Sequence, residues 1–173
     1  IHFAGLKSVF ESTLNPLSYW DVNVGGTISL LKVMNEFQCK TIVFSSSASI
    51  YDFSGMKSLK EYDLIKPNSP YGQTKETVEK ILFSLYENSK SDWKIANLRY
   101  FNPIGAHPSG LIGENFTTKS DNLFPHICMV ASGEKNYLEI FGNNWPTEDG
   151  TCIRDFIHVL DLAEAHMSAI KML

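Results

Sequence analysis

The feature that most constrains the fold is a short apolar run followed at once by serines. Thr41-Ile42-Val43-Phe44 is apolar and rich in β-branched residues, and Ser45-Ser46-Ser47 follows it directly. A strand that is buried on both faces of a parallel sheet has this pattern. We therefore predict a parallel strand whose carboxyl end carries hydroxyl side chains.

Helical patterns flank this strand. Pro16 can open a helical stretch that runs to Phe37, with apolar residues at helical spacing: Leu30, Leu31, Met34 and Phe37. After Pro70, an amphipathic helix is predicted by a second apolar series: Val78, Ile81, Leu82 and Leu85. Residues 93–100 are predicted to form the next strand, and Pro103 and Gly105 the loop after it.

The rest of the chain continues the alternation. We predict a loop over residues 105–122, a helix with Leu123, Ile127 and Val130 on its apolar face, and a short strand over 137–141. Asp161 and Glu164 resemble a capping box that opens the last helix. Its inward residues are predicted to be Leu162, Ala165, Ala169, Ile170 and Leu173. Strands alternating with helices indicate an α/β fold with a doubly wound parallel sheet, whose ligands bind beyond the carboxyl ends of the strands.

Composition excludes several classes of partner. The net charge of −4, with lysine and arginine scattered among acidic residues, offers no basic surface for nucleic acid. No apolar run approaches the ~20 residues of a membrane span, so we expect a soluble, cytoplasmic protein. The three cysteines and five histidines lack metal-ligand spacing, and no metal site is predicted. The chain starts at Ile1, and its apolar pattern still runs at Leu173, so we expect a piece of a longer protein.

Tyr71 and Lys75 form the most informative pair of side chains. Four residues apart on a helix, they share one face and lie one turn from each other. An unperturbed tyrosine has a pKa near ~10, so a nearby positive charge is needed to make it a base at neutral pH. The pair alone is common by chance, but here it follows the serines, whose hydroxyl groups can bond the same substrate oxygen.

This order of serines, tyrosine and lysine resembles the short-chain dehydrogenase/reductase superfamily. Within its extended branch, the chain is similar to the UDP-glucose 4-epimerase family over essentially its whole length. The runs that carry the resemblance are His2-Phe3-Ala4-Gly5-Leu6-Lys7, Phe44-Ser45-Ser46-Ser47-Ala48, Ser69-Pro70-Tyr71-Gly72, Arg99-Tyr100-Phe101-Asn102-Pro103, Gly105-Ala106-His107-Pro108-Ser109-Gly110, Phe141-Gly142-Asn143, Pro146-Thr147-Glu148-Asp149-Gly150-Thr151 and Arg154-Asp155-Phe156-Ile157-His158-Val159.

The resemblance implies inversion at C4 of a UDP-hexose, with NAD reduced and reoxidised in each cycle. It assigns catalysis to Ser47, Tyr71 and Lys75, where Tyr71 takes the proton of the 4-hydroxyl, Ser47 bonds the same oxygen, and Lys75 lowers the tyrosine pKa. It also implies a homodimer, formed through helices near those that carry Asn23 and Tyr71.

The resemblance further implies two sets of binding residues and two domains. The cofactor set is Phe3, Ala4, Gly5, Lys7, Asn23, Tyr71, Lys75, Tyr100 and Phe101. The substrate set is Ser47, Tyr71, Asn102, Asn122, Leu123, Phe141 and Arg154, the last because a guanidinium suits a diphosphate. Residues 1–103 are then the C-terminal portion of an incomplete Rossmann-like NAD domain. Residues 104–173 are part of a smaller α/β substrate domain, with 151–173 packing back on the first.

Some features depart from the family or leave alternatives open. No Gly-x-Gly-x-x-Gly motif occurs, so we expect this chain alone to hold NAD poorly. The stretch 115–121 is unusual for the family. Ala48-Ser49 replaces the acidic pair that a 4,6-dehydratase needs, which argues against dehydration. A 4-epimerase of UDP-glucuronate or of an N-acetylated sugar, and a non-catalytic remnant, stay open as alternatives.

Overall fold

A computed structural model describes residues 1–53, 58–88, 92–113 and 122–173. The unusual stretch 115–121 lies outside the described residues. The chain divides into two compact units, of which the first comprises Ile1–Phe101 together with Ala163–Leu173, and the second comprises Asn102–Leu162.

The centre of the first unit is a parallel pair of strands, β1 (Thr41–Ser45) and β2 (Lys94–Leu98). Their register sets Thr41 opposite Lys94 and Ser45 opposite Leu98. On the other side of β1, His2 forms a parallel bridge to Phe44 and donates its backbone N–H to Val43 at 2.9 Å. Three chain segments therefore run in the same direction, and the predicted parallel α/β arrangement is confirmed.

Helices precede and follow β1. They are α1 (Val9–Leu14), α2 (Pro16–Tyr19), a π-helical segment (Trp20–Gly25), α3 (Gly26–Glu36) and α4 (Pro70–Asn88). The predicted helical start at Pro16 is confirmed, although a change of helical pitch interrupts the stretch. The sequence analysis missed α1, whose start is capped by the Ser8 hydroxyl accepting the Glu11 N–H at 3.1 Å.

The apolar face of α4 packs on the strands as predicted. Val78 and Leu82 are buried in one cluster with Phe44 of β1, and Ile81 and Leu85 are partly buried against it. The remaining members of this cluster are Leu31, Ile42 and Trp93. Burial of this stripe fixes the rotation of α4 about its axis, and so determines which of its side chains point toward the serines.

The second unit contains a separate parallel pair, β3 (Asn102–Ile104) and β4 (Phe156–His158), and helix α5 (Leu123–Ala131). Helix α6 (Val159–Met172) follows β4 directly, and from Ala163 onward it belongs to the first unit. The cofactor and substrate roles assigned to 1–103 and 104–173 stay predictions.

The predicted strand over 137–141 is wrong. No strand among the described residues pairs with this segment, and Tyr137, Ile140 and Phe141 are exposed. An apolar alternation forms a strand only where a neighbouring backbone accepts and donates its hydrogen bonds. Here that neighbour is lacking within the parts of the chain that the structure describes.

The last helix also differs from its prediction. It begins at Val159 rather than at Asp161, whose carboxylate lies within the first turn and so interacts favourably with the helix dipole. Leu162 is buried as predicted, but Ala165 and Ile170 are exposed, and His166 is buried instead. The error came from counting only apolar side chains as core, whereas a histidine ring can pack among aromatic rings.

Two further observations concern the described part of the chain. None of its helices combines the length and the apolar character needed to cross a membrane. No group of three or more His, Cys, Asp or Glu side chains in it is arranged to hold a metal ion.

The first prediction tests the packing of α4. We expect Leu82→Ala to lower the free energy of unfolding by about 2–5 kcal/mol, because Leu82 is fully buried between α4 and the strands. Leu111→Ala makes the same chemical change at a side chain that is 88% exposed, and should alter stability by less than about 0.5 kcal/mol. Urea denaturation measures both, and equal effects would contradict the described core.

Candidate active site

The carboxyl ends of β1 and β2 bring two polar segments together. Beyond β1, the backbone N–H of Ala48 donates to the carbonyl of Tyr100 at 3.0 Å, which joins the turn after β1 to the segment after β2. The hydroxyl groups of Ser45 and Tyr100 form a further hydrogen bond. The predicted serine-bearing strand end thus lies beside Tyr100, one of the predicted cofactor residues.

Ser47 is the N-cap of a short 3₁₀ helix, Ala48–Ile50. Its hydroxyl oxygen accepts from the backbone N–H of Ser49 at 3.2 Å and from the Ser49 hydroxyl at 2.9 Å. The Ser47 side chain also lies near that of Tyr71 and lowers its pKa. The structure therefore brings together two of the three predicted catalytic residues.

Tyr71 lies in the first turn of α4, which approaches the serine turn closely. A Cβ built on the next residue, Gly72, would lie 2.7 Å from the backbone oxygen of Ser49. Any larger residue would push α4 away from the turn, so glycine is needed here for the close approach of two backbones.

Burial raises the pKa of Tyr71 above its ordinary value. Ser47 opposes this shift, and Tyr100 adds to it. The sequence analysis expected Lys75 to lower this pKa. Within the chain itself, burial prevails, because the Lys75 ammonium lies 5.8 Å from the centre of the Tyr71 ring and is directed elsewhere.

The Lys75 ammonium is held at the end of β1. It donates to the backbone oxygen of Ser45 at 2.8 Å and lies 4.9 Å from the centre of the Phe44 ring. Burial lowers the pKa of Lys75 to about 8. One of the three ammonium N–H groups donates to Ser45, and the other N–H groups can donate to a ligand hydroxyl.

One turn beyond Lys75 on the same helix, Glu79 forms a network that the sequence analysis missed. The Ser46 hydroxyl donates to the Glu79 carboxylate, and Arg99 pairs with the same carboxylate at 2.6 Å. Arg99 also donates to the Tyr51 hydroxyl at 2.9 Å, and the contact with Glu79 raises the pKa of Arg99. The spacing of Tyr71, Lys75 and Glu79, at intervals of four residues, is the signal that could have revealed it.

The predicted cofactor loop follows His2 at the same edge of the sheet. Asn23 is buried, and its side-chain amide accepts from the Leu6 N–H at 2.7 Å and donates to the Leu6 oxygen at 3.1 Å. It also donates to the Thr74 hydroxyl at 3.2 Å. Asn23 thus ties the loop to α4, through the residue that precedes Lys75. A direct contact of Asn23 with a cofactor stays a prediction.

Phe3 and Tyr100 are linked by the ring of His166. The ring centres of His166 and Phe3 are 4.8 Å apart, and those of His166 and Tyr100 are 5.8 Å apart. Phe3, Ala4 and Gly5 remain exposed beside this group, whereas Phe101 is half-buried with the cluster of Ala48, Ile50 and Tyr51. The cofactor candidates of the first unit therefore share one edge.

The second unit holds the predicted substrate residues other than Ser47 and Tyr71. Asn102 begins β3, and its amide donates to the backbone oxygen of Asp155 at 2.8 Å. Arg154 precedes Asp155 in the chain and is exposed. The structure therefore sets Asn102 beside the segment that carries Arg154.

The other substrate candidates lie on α5 and on a loop. Asn122 is the N-cap of α5, and Leu123 is the first residue of that helix and is exposed. Phe141 lies on the loop before β4 and is 89% exposed. The role of each in binding a substrate stays a prediction.

Parallel strands flanked by helices, with polar side chains at the carboxyl ends of the strands, are typical of the doubly wound α/β class, whose ligands bind at those ends. The family model of the NAD-dependent epimerase/dehydratase family matches residues 1–173, and the chain belongs to that family.

Similar proteins of known function are UDP-glucose 4-epimerases. The chain is 47% identical to UDP-glucose 4-epimerase 2 of Arabidopsis thaliana over 100% of this chain and 49% of that protein. It is 48% identical to the UDP-glucose 4-epimerase of Yersinia pestis, covering 100% of this chain and 51% of the relative. The chain thus spans about half the length of these relatives.

A solved structure with the same fold is UDP-glucose 4-epimerase from Stenotrophomonas maltophila, determined with NAD and formylated UDP-arabinopyranose. It superposes with a TM-score of 0.93 at 45% identity, over 98% of this chain and 50% of that protein.

The residues of the first unit fit a nicotinamide cofactor. A Cβ built at Gly5 would lie 2.9 Å from the Asn23 oxygen, so the loop is packed tightly against its support and has glycine where a larger residue would clash. The Tyr71 hydroxyl and the Lys75 ammonium, which is bound to the Ser45 carbonyl at the end of β1, are donors of the kind that ribose hydroxyl groups accept from.

The second prediction concerns the stability cost of Lys75. We expect Lys75→Met to raise the free energy of unfolding at pH 7 by up to about 3 kcal/mol, because a buried ammonium whose pKa falls to about 8 destabilises the fold. Between about pH 8 and 10.5, the unfolded lysine still binds a proton that the folded one has lost. The stability of the unmodified chain should therefore rise with pH in that window, and that of the variant should not.

Lys80→Met is the matched control for this experiment. Lys80 lies on the same helix but is exposed and pairs with Glu76 at the surface. Its replacement should leave the pH dependence unchanged in urea denaturation at pH 7 and pH 10. A loss of stability in Lys75→Met at both pH values would contradict the prediction.

Proposed function

We propose that the protein containing this chain interconverts UDP-galactose and UDP-glucose by inversion at C4, with NAD as its cofactor. The observation that carries the proposal is the cluster of Ser47, Tyr71 and Lys75 at the strand ends, in a chain 47% and 48% identical to UDP-glucose 4-epimerases. This activity belongs to galactose metabolism, and we propose that the protein works in the cytoplasm.

The three residues have distinct roles in this proposal. When bound, oxidised NAD supplies a hydride acceptor and a positive charge that favours the ionised form of a nearby tyrosine. Tyr71 would take the proton of the 4-hydroxyl as C4 loses a hydride, and would return a proton to the same oxygen when the hydride is restored to the opposite face of C4. Ser47 would hydrogen-bond that oxygen throughout. Lys75 donates to the ribose and keeps a positive charge near Tyr71.

The raised pKa of Tyr71 gives this mechanism a physical basis. Because burial dominates, Tyr71 is a protonated donor at neutral pH in the chain alone. Base chemistry is then coupled to the arrival of the charged cofactor, and Ser47 reduces the remaining cost of ionisation. This coupling would limit unwanted proton transfer before the ligands bind.

The substrate residues are proposed to bind the nucleotide more firmly than the sugar. Arg154 offers a planar pair of donors to the diphosphate, and Asn102 and Asn122 are proposed to contact the substrate. Leu123 and Phe141, both exposed, provide apolar surface for the uridine side. Sugar specificity stays open between hexoses, UDP-glucuronate and N-acetylated sugars, because these differ in pocket size and charge.

We also propose that the protein is a homodimer. The helical segments that carry Asn23 and Tyr71 leave apolar side chains exposed, among them Val22 and Phe83. Exposed apolar side chains on adjacent helices are typical of surfaces that pair with another subunit.

The third prediction tests the activity. The complete open reading frame that contains this chain should convert UDP-galactose to UDP-glucose when NAD is present. Tyr71→Phe should lower kcat by at least about 100-fold, since general acid–base transfer contributes that much or more. Tyr62→Phe, at a side chain that is 79% exposed, should retain the activity of the unmodified protein.

Other outcomes would separate the alternatives. Conversion of UDP-glucuronate or of an N-acetylated UDP-sugar instead would assign a different epimerase specificity. No conversion of any of these by the complete frame would favour the non-catalytic remnant. The 173-residue chain by itself should convert little, because it lacks the Gly-x-Gly-x-x-Gly motif that would hold the pyrophosphate of NAD.

The fourth prediction tests the diphosphate contact. Arg154→Lys should raise the KM for the UDP-sugar by about tenfold, with a smaller change in kcat, because lysine cannot donate two parallel hydrogen bonds to phosphate oxygens. Free UDP, as a competitive inhibitor, should bind the variant more weakly, and its inhibition constant should rise by a similar factor. An unchanged KM would show that Arg154 does not bind the diphosphate.

A further inference from the structure

We infer that Glu79 is a positioning residue, which holds the Ser45–Ser47 turn in the geometry that Tyr71 and Lys75 require. This inference rests on the proposed 4-epimerase activity. Glu79 itself contacts no reacting group in the proposed mechanism, and acts through Ser46 and the backbone on either side of it.

The first step of the argument is the location of Ser46. It lies between Ser45, whose carbonyl accepts a hydrogen bond from the Lys75 ammonium at 2.8 Å, and Ser47, whose side chain lowers the pKa of Tyr71. The Ser46 side chain is buried and donates to the Glu79 carboxylate. Fixing Ser46 therefore fixes the position of both neighbours.

The second step is the strength of this contact. The Glu79 side chain is only 7% exposed, and its carboxylate accepts from the Ser46 hydroxyl and from the Nε and Nη2 atoms of Arg99. Charge-assisted hydrogen bonds in a buried site are stronger and more directional than neutral ones. The carboxylate thus holds the serine turn more firmly than a hydroxyl or an amide would.

The third step is the rigidity of the support. Arg99 immediately follows β2, and besides Glu79 it contacts the Tyr51 hydroxyl at 2.9 Å and the Glu61 backbone oxygen at 2.8 Å. The network therefore joins α4, the ends of both strands and the segment after the serine turn. Catalytic groups held by such surrounding contacts keep the geometry that a reaction demands.

Glu79→Gln tests the inference in the complete open reading frame. It keeps the shape of the side chain but removes the charge. We expect kcat to fall at least about tenfold, because a displacement of less than an ångström between reacting groups has effects of this size. The KM for the UDP-sugar should stay within about twofold, since no proposed nucleotide contact changes.

Glu76→Gln is the matched control. It removes a carboxylate from the same helix, three residues away, where the carboxylate pairs with exposed Lys80 at 2.6 Å. Its kcat should equal that of the unmodified protein. Equal kcat values for Glu79→Gln and Glu76→Gln would overturn the inference while leaving the proposed function intact.

Ser46→Ala removes the other end of the same contact. If Glu79 acts through Ser46, the loss of kcat in the double variant should match that in the stronger single variant, because both changes break one interaction. If the kcat losses of the two single variants multiply in the double variant, the inference is overturned. If Glu79→Gln does not fold, Ser46→Ala alone still tests the inference: its kcat should fall, and an unchanged kcat would overturn the inference.

A second measurement does not depend on activity. Hydrogen–deuterium exchange should become faster in peptides covering residues 45–51 of Glu79→Gln, where the Ala48 N–H is protected by the Tyr100 oxygen, and should stay unchanged in Glu76→Gln. Unchanged exchange at 45–51, or faster exchange throughout the protein, would overturn the positioning role. An inactive unmodified protein would instead refute the proposed function, with the exchange result still deciding the role of Glu79.

Discussion

The parallel register of β1 with its two neighbouring segments is the constraint on which the site depends. Because the three segments run in one direction, their carboxyl ends deliver the loop after His2, the serine turn and Tyr100 to one edge. Antiparallel pairing of either neighbour would send its polar residues to the opposite edge. The direction of the strands therefore determines which polar segments meet at the candidate site.

The packing of helix α4 determines the geometry of the candidate site. Its inner face packs on the strands through Val78 and Leu82, and this packing leaves the stripe of Tyr71, Lys75 and Glu79 against the serine turn. Side chains spaced four residues apart stay on one face over several turns. One helix thus places a donor, a cation and an anion in a fixed order, with Gly72 allowing the approach.

Much of this arrangement was predictable, because it rests on local patterns. The run from Thr41 to Phe44 and the apolar series of α4 predicted the parallel strand and the amphipathic helix, and both are confirmed. The prediction of a strand over residues 137–141 was wrong because a strand forms only beside a neighbouring strand, and a local sequence pattern does not show whether that neighbour exists. Burial of His166 was missed because its partners, the rings of Phe3 and Tyr100, are far away in the sequence. The spacing of Glu79 from Lys75 indicated its helix face, but not its partners Ser46 and Arg99.

The pairing of charged side chains on α4 explains why the positive charge of Lys75 is not neutralised by Glu79. Lysine and glutamate four residues apart on a helix commonly pair with each other, yet the Glu79 carboxylate instead engages Arg99 and Ser46. The Lys75 ammonium is bound to a neutral carbonyl, and burial is the cause of its lowered pKa. Because Arg99 compensates Glu79, the charge of Lys75 is not cancelled by its helical neighbour. In the proposed mechanism, this buried charge adds to the positive charge of the bound oxidised cofactor, and the two together favour an ionised Tyr71.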